Sequence, residues 1–320
     1  MLLLFALAAL AETPPPAELP PIAAPSATPA SLIDEAVALR QRGETASARE
    51  LLLTLEPLIT PDLMALYLYQ RGICEELLWQ PDAARVLYER VIALGGDVAL
   101  DAHFRRALVL EDLGMPEAAY EEIRTVDRAR GLSEDDDLTI ALQRGIAEVA
   151  LGRDRVGIRR IQRALDATEG GDSHRYLRAK GRYTLATALL DEADALALTG
   201  PEKRVVRRLK GRAERIQAAE QQIIALSALQ EPEWVLASLI RLGDSYATLA
   251  RDLPASTAPR RLSDAEVVVY QNALAEKAGN VKTKAFHAYD SGVSLATRLA
   301  WESPRVATLK QRRATLEAER

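Results

Sequence analysis

The chain has 320 residues, 48% of them hydrophobic and 27% charged, with 41 basic against 46 acidic side chains and a formal net charge of −5. Both signs are interspersed, so composition gives no case for nucleic-acid binding. The single cysteine, Cys74, excludes an intramolecular disulfide and any cysteine-based metal cluster.

The first segment, residues 1–11, reads MLLLFALAALA and is too short to span a bilayer as a helix. Its apolar run ends in the small-x-small pattern Ala9-Leu10-Ala11, as in the core and cleavage site of a secretory signal, but the usual basic start is missing. A misassigned start codon would account for that, and a cytoplasmic protein with a buried or frayed apolar N-terminus is the alternative. Residues 12–30 form a proline-rich linker that holds Pro14, Pro15, Pro16, Pro20, Pro21, Pro25 and Pro29. Such density forbids helix and leaves an extended, semi-rigid tether. The folded part is expected to begin at Ser31, whose hydroxyl caps a helix with Asp34 three residues on.

Residues 31–171 carry a four-fold repeat. Small residues recur in pairs twelve apart, Ala36/Ala48, Gly72/Ala84, Ala107/Ala119 and Gly145/Gly157, at steps of 36, 35 and 38 residues. Turn residues fall between the members of each pair, at Gly43-Glu44, Trp79-Gln80-Pro81, Gly114-Met115-Pro116 and Gly152-Arg153-Asp154. Four residues beyond each second small residue stands a larger one, Leu52, Tyr88, Ile123 or Ile161. The pattern predicts helical hairpins that cross closely at the small residues and stack on their neighbours to bury their apolar faces. Ser133 to Asp136 reads as a capping box, which gives the acidic run Glu134–Asp137 a structural role; a calcium loop with its alternating ligands and glycine is absent.

After residue 172 the regular step is lost. Residues 172–230 read as one long hairpin, with helices over Ser173–Leu198 and from Pro201 to about Gln230. The second helix carries Lys203, Arg204, Arg207, Arg208, Lys210, Arg212 and Arg215. No aromatics interleave this basic run, so it reads as a solvated face, or as peripheral contact with an anionic partner or lipid headgroups through helix 203–215. Residues 231–320 read as a C-terminal helical region with helices at Glu233–Asp252, Ser263–Ala278, Val281–Glu302 and Pro304–Glu319, and a second capping box at Ser263–Glu266.

No catalytic or metal-binding constellation is visible. His103, His174 and His287 fall on helical segments in different parts of the chain, and none has a partner at ligand spacing. Cys74 lies on an apolar face, where a small buried hydrophobe is expected rather than a nucleophile. Gly95-Gly96 and Gly170-Gly171 end helices and lack the G-K-[ST] of a phosphate loop, so no cofactor is expected.

In its small-residue pairs, turns and Leu242-Gly243-Asp244-Ser245-Tyr246 core, the sequence resembles the tetratricopeptide repeat (TPR) family, whose unit is a helix–turn–helix of about 34 residues. The resemblance implies an all-α, TPR-like α-solenoid of antiparallel hairpins, with longer irregular hairpins in the C-terminal half. It also implies a non-catalytic scaffold that binds a protein or peptide segment in its concave groove. An enzyme regulated by its repeats is the alternative of another class. The family's concave-face positions carry over to Leu66, Tyr69, Ile73, Glu76 and Leu77 in the second repeat. In the third they are Asp101, Phe104, Leu108, Glu111 and Asp112, and in the fourth Thr139, Leu142, Ile146, Val149 and Ala150. Partner binding is expected at Tyr69, Ile73, Glu76, Asp101, Phe104, Leu108, Glu111 and Asp112, an apolar groove with an acidic edge suited to a segment that bears basic residues. The lysine and asparagine clamp of chaperone-binding members is missing. From about Glu231 to Arg298 the order of Trp234, Leu242-Gly243, Tyr246, Tyr270, Ala285 and Tyr289 is similar to envelope TPR proteins of myxobacteria and relatives, some associated with gliding motility. With the signal-like start, that points to the periplasm or envelope, with a cytoplasmic adaptor as the alternative.

Overall fold

The computed structural model describes residues 28–168, 174–256, 258–259 and 261–319. The signal-like segment 1–11, the linker as far as residue 27 and the expected helix end at Gly170-Gly171 lie outside the described residues. Within them the regular structure is helical, and no strand occurs. The regular repeats form α1 (Pro29–Gln41), α2 (Thr45–Leu55), α3 (Met64–Leu77), α4 (Pro81–Leu94), α5 (Ala99–Asp112), α6 (Pro116–Asp127), α7 (Glu134–Ala150) and α8 (Asp154–Ala167). Five longer or less regular helices follow: α9 (Arg175–Asp194), α10 (Glu202–Ser227), α11 (Pro232–Asp252), α12 (Asp264–Leu299) and α13 (Pro304–Ala318).

Consecutive helices pair as hairpins from α1/α2 to α11/α12, each hairpin rests on the next, and α13 folds back on α12 and α11. The chain is thus an all-α, TPR-like solenoid. Its hairpins close at the expected small residues: Ala36, Ala48, Ala84, Ala107 and Ala119 are buried, and so are Leu52, Tyr88, Ile123 and Ile161 four residues beyond each second small position. The fit is tightest in α7/α8. A Cβ added at Gly157 would stand 2.5 Å from the Gly145 carbonyl oxygen and 2.8 Å from the Val149 nitrogen, backbone atoms that cannot give way. Gly72 is instead filled by the Tyr88 ring, 2.6 Å from an added Cβ. The same device returns in α11/α12, where Tyr289 lies 2.3 Å from an added Cβ at Gly243.

Helix ends follow local chemistry. Both expected capping boxes form, Ser133 with Asp136 and Ser263 with Glu266, and each acid's pKa is lowered by the backbone N–H and hydroxyl it accepts from. Three expectations are corrected. The first helix starts at Pro29, because Thr28 and not Ser31 is its cap; the Thr28 hydroxyl accepts from the Ser31 N–H at 3.2 Å. The helices expected over Ser263–Ala278 and Val281–Glu302 are one helix of 36 residues. A lone Gly279 costs a helix only about 1 kcal/mol, and packing of α12 along α11 and α13 outweighs it. The basic run on α10 is not one solvated face. Arg212 is fully buried, at 3.3 Å from Asp194 and 2.7 Å from Asp252. Arg215 pairs with Glu192, and Arg208 donates to the Ala197 and Thr199 carbonyls. Lys203, Arg204 and Arg207 remain exposed.

What binds the regular repeats to the rest is α9, which packs on α7, α8, α10 and α11. Five consecutive residues, Leu177 to Gly181, are buried, so neighbours cover this helix on every side. Among them Lys180 reaches across to α5 and meets Glu111 at 2.5 Å, with side chains 6% and 8% exposed. Burial alone would lower the lysine's pKa, but the Glu111 carboxylate, helped by Tyr176 and Asp112, raises it. Behind this pair stands Trp234 of α11, with the Lys180 ammonium 5.6 Å and the Arg305 guanidinium 5.2 Å from its ring centre. Arg305 in turn bonds Glu233. The string of alternating charges and aromatic rings ties α5, α9, α11 and α13 together.

Two substitutions of the same kind test the crossings. Gly157→Ala is expected to destabilise by about 1–3 kcal/mol through overpacking. Gly279→Ala, where an added Cβ meets nothing within 4 Å, is expected to stabilise by up to about 1 kcal/mol; denaturant midpoints read both. For the ion pair, Lys180→Met or Glu111→Leu alone leaves one buried charge uncompensated and is expected to cost about 3–5 kcal/mol, whereas the double variant recovers most of that loss. Additive losses in the double variant would show that the pair is not coupled.

Candidate functional site

The first helices of the second and third hairpins lie side by side, and with them Tyr69 on α3 and Phe104 on α5. Both are half-buried; Tyr69 leans on the core of the first hairpins and Phe104 on the core around Leu142 and Ile146. They open onto a cleft of about 740 Å³. Its near wall is the end of α3 with Glu76 and Leu77 and the turn residue Trp79, and its floor is α5 with Asp101, Arg105, Leu108 and Asp112. The far wall comes from the other half of the chain: Tyr176 and Leu177 at the start of α9, Glu231 to Glu233 at the start of α11, and Trp301-Glu302 ahead of α13.

Polar groups on the near side are already engaged. Arg105 donates to the Tyr69 hydroxyl at 3.2 Å and to Glu76 at 3.1 Å, and the Tyr88 hydroxyl donates to Glu76 at 2.7 Å. Burial opposes the charge on Arg105, but Glu76 outweighs it and the guanidinium pKa rises. On the far side Glu233 accepts from the Trp301 indole at 3.2 Å as well as from Arg305. Burial pushes the Tyr176 hydroxyl up to about 12. It also raises the carboxyls of Asp112 and Glu231, against the opposing pull of Lys180 on the first and Arg175 on the second. Asp112 is nevertheless exposed, so the cost that raises its pKa comes from the cleft around it rather than from enclosure of the side chain.

Six of the eight residues expected to bind a partner are brought together here: Tyr69, Glu76, Asp101, Phe104, Leu108 and Asp112. Leu108 is 8% exposed and serves as floor. Two are placed elsewhere. Ile73 is 4% exposed, within the buried run Gly72 to Glu75 of α3, because this helix is covered on more faces than an open groove allows. Glu111 is turned under α9 into its bond with Lys180. The groove does not continue evenly along the fourth hairpin either. Leu142 and Ile146 are buried where α9 packs on α7, and the Thr139 hydroxyl is bonded to His174 at 2.8 Å. Val149 and Ala150 line a separate groove with Tyr183 and Thr187.

Trp79, Arg105, Tyr176 and Trp301 belong to the site and were not among the expected residues. Three of them carry no local signal, but Trp79 does. It is seven residues past the first small residue of its repeat, where the other three repeats have Gly43, Gly114 and Gly152. Those glycines have φ of 85°, 70° and 71°, and Trp79 adopts the same left-handed backbone with φ 58°. An indole at a glycine position, 41% exposed, is a costly arrangement that places an aromatic at the cleft.

Other reactive side chains are absorbed into structure. Cys74 is 1% exposed, and burial pushes its thiol pKa up. His103 bonds Glu122 at 2.5 Å. Among the described residues no group of three or more His, Cys, Asp or Glu could hold a metal ion, and no helix is long and apolar enough to cross a membrane.

No protein-family model matches the sequence, and no curated protein matches it. Solved structures do align. A tetratricopeptide repeat protein from Parabacteroides merdae shares 13% identity over 90% of this chain and 98% of its own, with a TM-score of 0.45. A TPR repeats protein from Bacteroides fragilis shares 14% over 80% of this chain and 99% of its own, at 0.35. A structure described as a MamA RS-1 ArsTM double mutant shares 17% over 62% of this chain and 99% of its own, at 0.42. The small-residue crossings, left-handed turns and stacked hairpins of the chain itself make it an all-α array of TPR-like repeats.

Proposed function

We propose that the protein is a non-catalytic interaction scaffold that docks a segment of a partner protein in the cleft between α3, α5 and the far wall of Tyr176 and Trp301. Trp79 carries this reading. A tryptophan held in a backbone conformation that the three sister turns give to glycine spends stability without a gain in core packing, and strained residues of this kind gather at ligand sites. Exposed aromatics at the centre of a concave surface supply most of the binding energy in protein interfaces, and Tyr69, Phe104 and Tyr176 stand around the same space. The site of action we propose is the bacterial envelope. The signal-like segment that ends at Ala11 and the proline-rich tether behind it support export, and the scaffold would serve a multiprotein assembly there.

Trp79→Gly separates docking from folding. Relief of the left-handed strain, about 1 kcal/mol, offsets the packing lost from a half-exposed ring, so the thermal midpoint is expected to stay within a few degrees. Affinity for the partner recovered by cross-linking from native cells is expected to fall about tenfold or more. Unchanged affinity would falsify the role given to Trp79. Export is checked by N-terminal sequencing of protein from its native host, with a start at Glu12 or a nearby residue expected and an intact Met1 in the cytoplasm counting against it.

A further inference from the structure

We infer that the cleft selects its partner through a cationic side chain, an arginine or lysine carried on an exposed segment of another protein. The inference rests on the cleft's being a docking site, and it concerns what that site recognises.

Count the charges that face the cleft. Glu76 and Arg105 neutralise each other, and Glu233 is held by Arg305 and Trp301. That leaves Asp101, Asp112, Glu231 and Glu302 around one cavity, none with a hydrogen bond or ion pair among the described residues. Among the described residues that line the cleft Arg105 is the one cation, already spent on Glu76; from outside the lining Lys180 and Arg305 pull on Asp112 and Arg175 on Glu231, and in neither case do they offset the cost of burial. The pKa values of Asp112 and Glu231 are raised, so protein walls already make their negative charge costly, and a bound cation would relieve this.

The neutral part of the lining suits the same ligand. Trp79 and Tyr176, 41% and 40% exposed, present ring surface to the space that the carboxylates surround. A cation over an aromatic face is stabilised further when carboxylates lie beside it. Behind the far wall the molecule makes that arrangement within itself, where Lys180 and Arg305 flank the Trp234 ring and pair with Glu111 and Glu233. The chain's own N-terminal segment is a poor occupant, because residues 1–27 include Glu12 and Glu18 and no lysine or arginine. Nucleic acid and anionic lipid are repelled by the same four carboxylates.

The test uses the full chain and three labelled heptapeptides: Leu-Arg-Gly-Leu-Arg-Gly-Leu, the same sequence with citrulline for arginine, and the same with glutamate for arginine. Citrulline keeps the shape of the side chain and removes the charge. Fluorescence anisotropy is expected to show the arginine peptide bound at least about tenfold more tightly than the citrulline peptide, with the glutamate peptide weakest. Asp112→Asn combined with Glu231→Gln should shrink the preference for arginine, through weaker binding of the arginine peptide. Lowering the pH into the carboxyl range should narrow the gap in the native chain, since carboxyls with raised pKa take up protons first and a cation no longer gains from them. Equal affinity for arginine and citrulline overturns the inference while leaving the cleft a docking site. An arginine preference that the double variant leaves undiminished also overturns it, because the charge is then read elsewhere. If none of the three peptides binds, both the inference and the proposed docking site fail.

Discussion

Every hairpin in this molecule depends on how closely two helix backbones can approach. At Gly145 and Gly157 they come near enough that even a methyl group has no room; at Gly72 and Gly243 the space of the missing side chain is taken by a tyrosine from the facing helix. Close crossing leaves the apolar residue four positions on, such as Ile161 or Leu52, wholly enclosed, and packing of that density transmits position faithfully from one hairpin to the next. The side-by-side placement of Tyr69 and Phe104 follows from this spacing. It is the crossing distance, repeated, that brings two aromatics 35 residues apart in sequence to one cleft, on its near wall and its floor.

A second constraint is electrostatic. The repeats curve far enough for α5 to come within reach of α9, and a buried lysine and glutamate bridge them. Such a pair contributes little net stability compared with apolar residues of the same size, yet it tolerates no mismatch, since either charge alone is expensive to bury. The Glu111–Lys180 contact and the Trp234 stack behind it therefore specify one relation between the regular repeats and the later helices. The cleft depends on that relation, because Tyr176 and Trp301 reach it only from the far side.

Much of the fold was legible in the sequence because its determinants are local. Small residues twelve apart, turns between them and the boxes at Ser133 and Ser263 act within one or two helical turns, and each is found where it was expected. The cap at Thr28 was missed because two hydroxyl residues, three apart, competed for the same role and Pro29 could stand inside the first turn. The site was half legible. Equivalent positions on stacked helices gave Tyr69, Glu76, Asp101, Phe104, Leu108 and Asp112, but a rule for open grooves could not foresee a helix that buries Glu111 and covers Leu142. Trp301 is separated from Phe104 by most of the chain, and only the irregular hairpins, which have no fixed step, bring it there. Arg212 was misplaced for a related reason: its partners Asp194 and Asp252 lie on two other helices.

The bridge from Glu111 to Lys180 has a consequence for how such a protein can change over evolutionary time. Tandem repeats ordinarily gain and lose copies with ease, because each unit meets only its neighbours. Here a contact skips over the α7/α8 hairpin to join α5 with α9. Duplication or deletion of a unit between them would part the bridge and pull the two walls of the cleft out of register. The middle of the array is therefore frozen in copy number, and growth by whole units is left to the two ends.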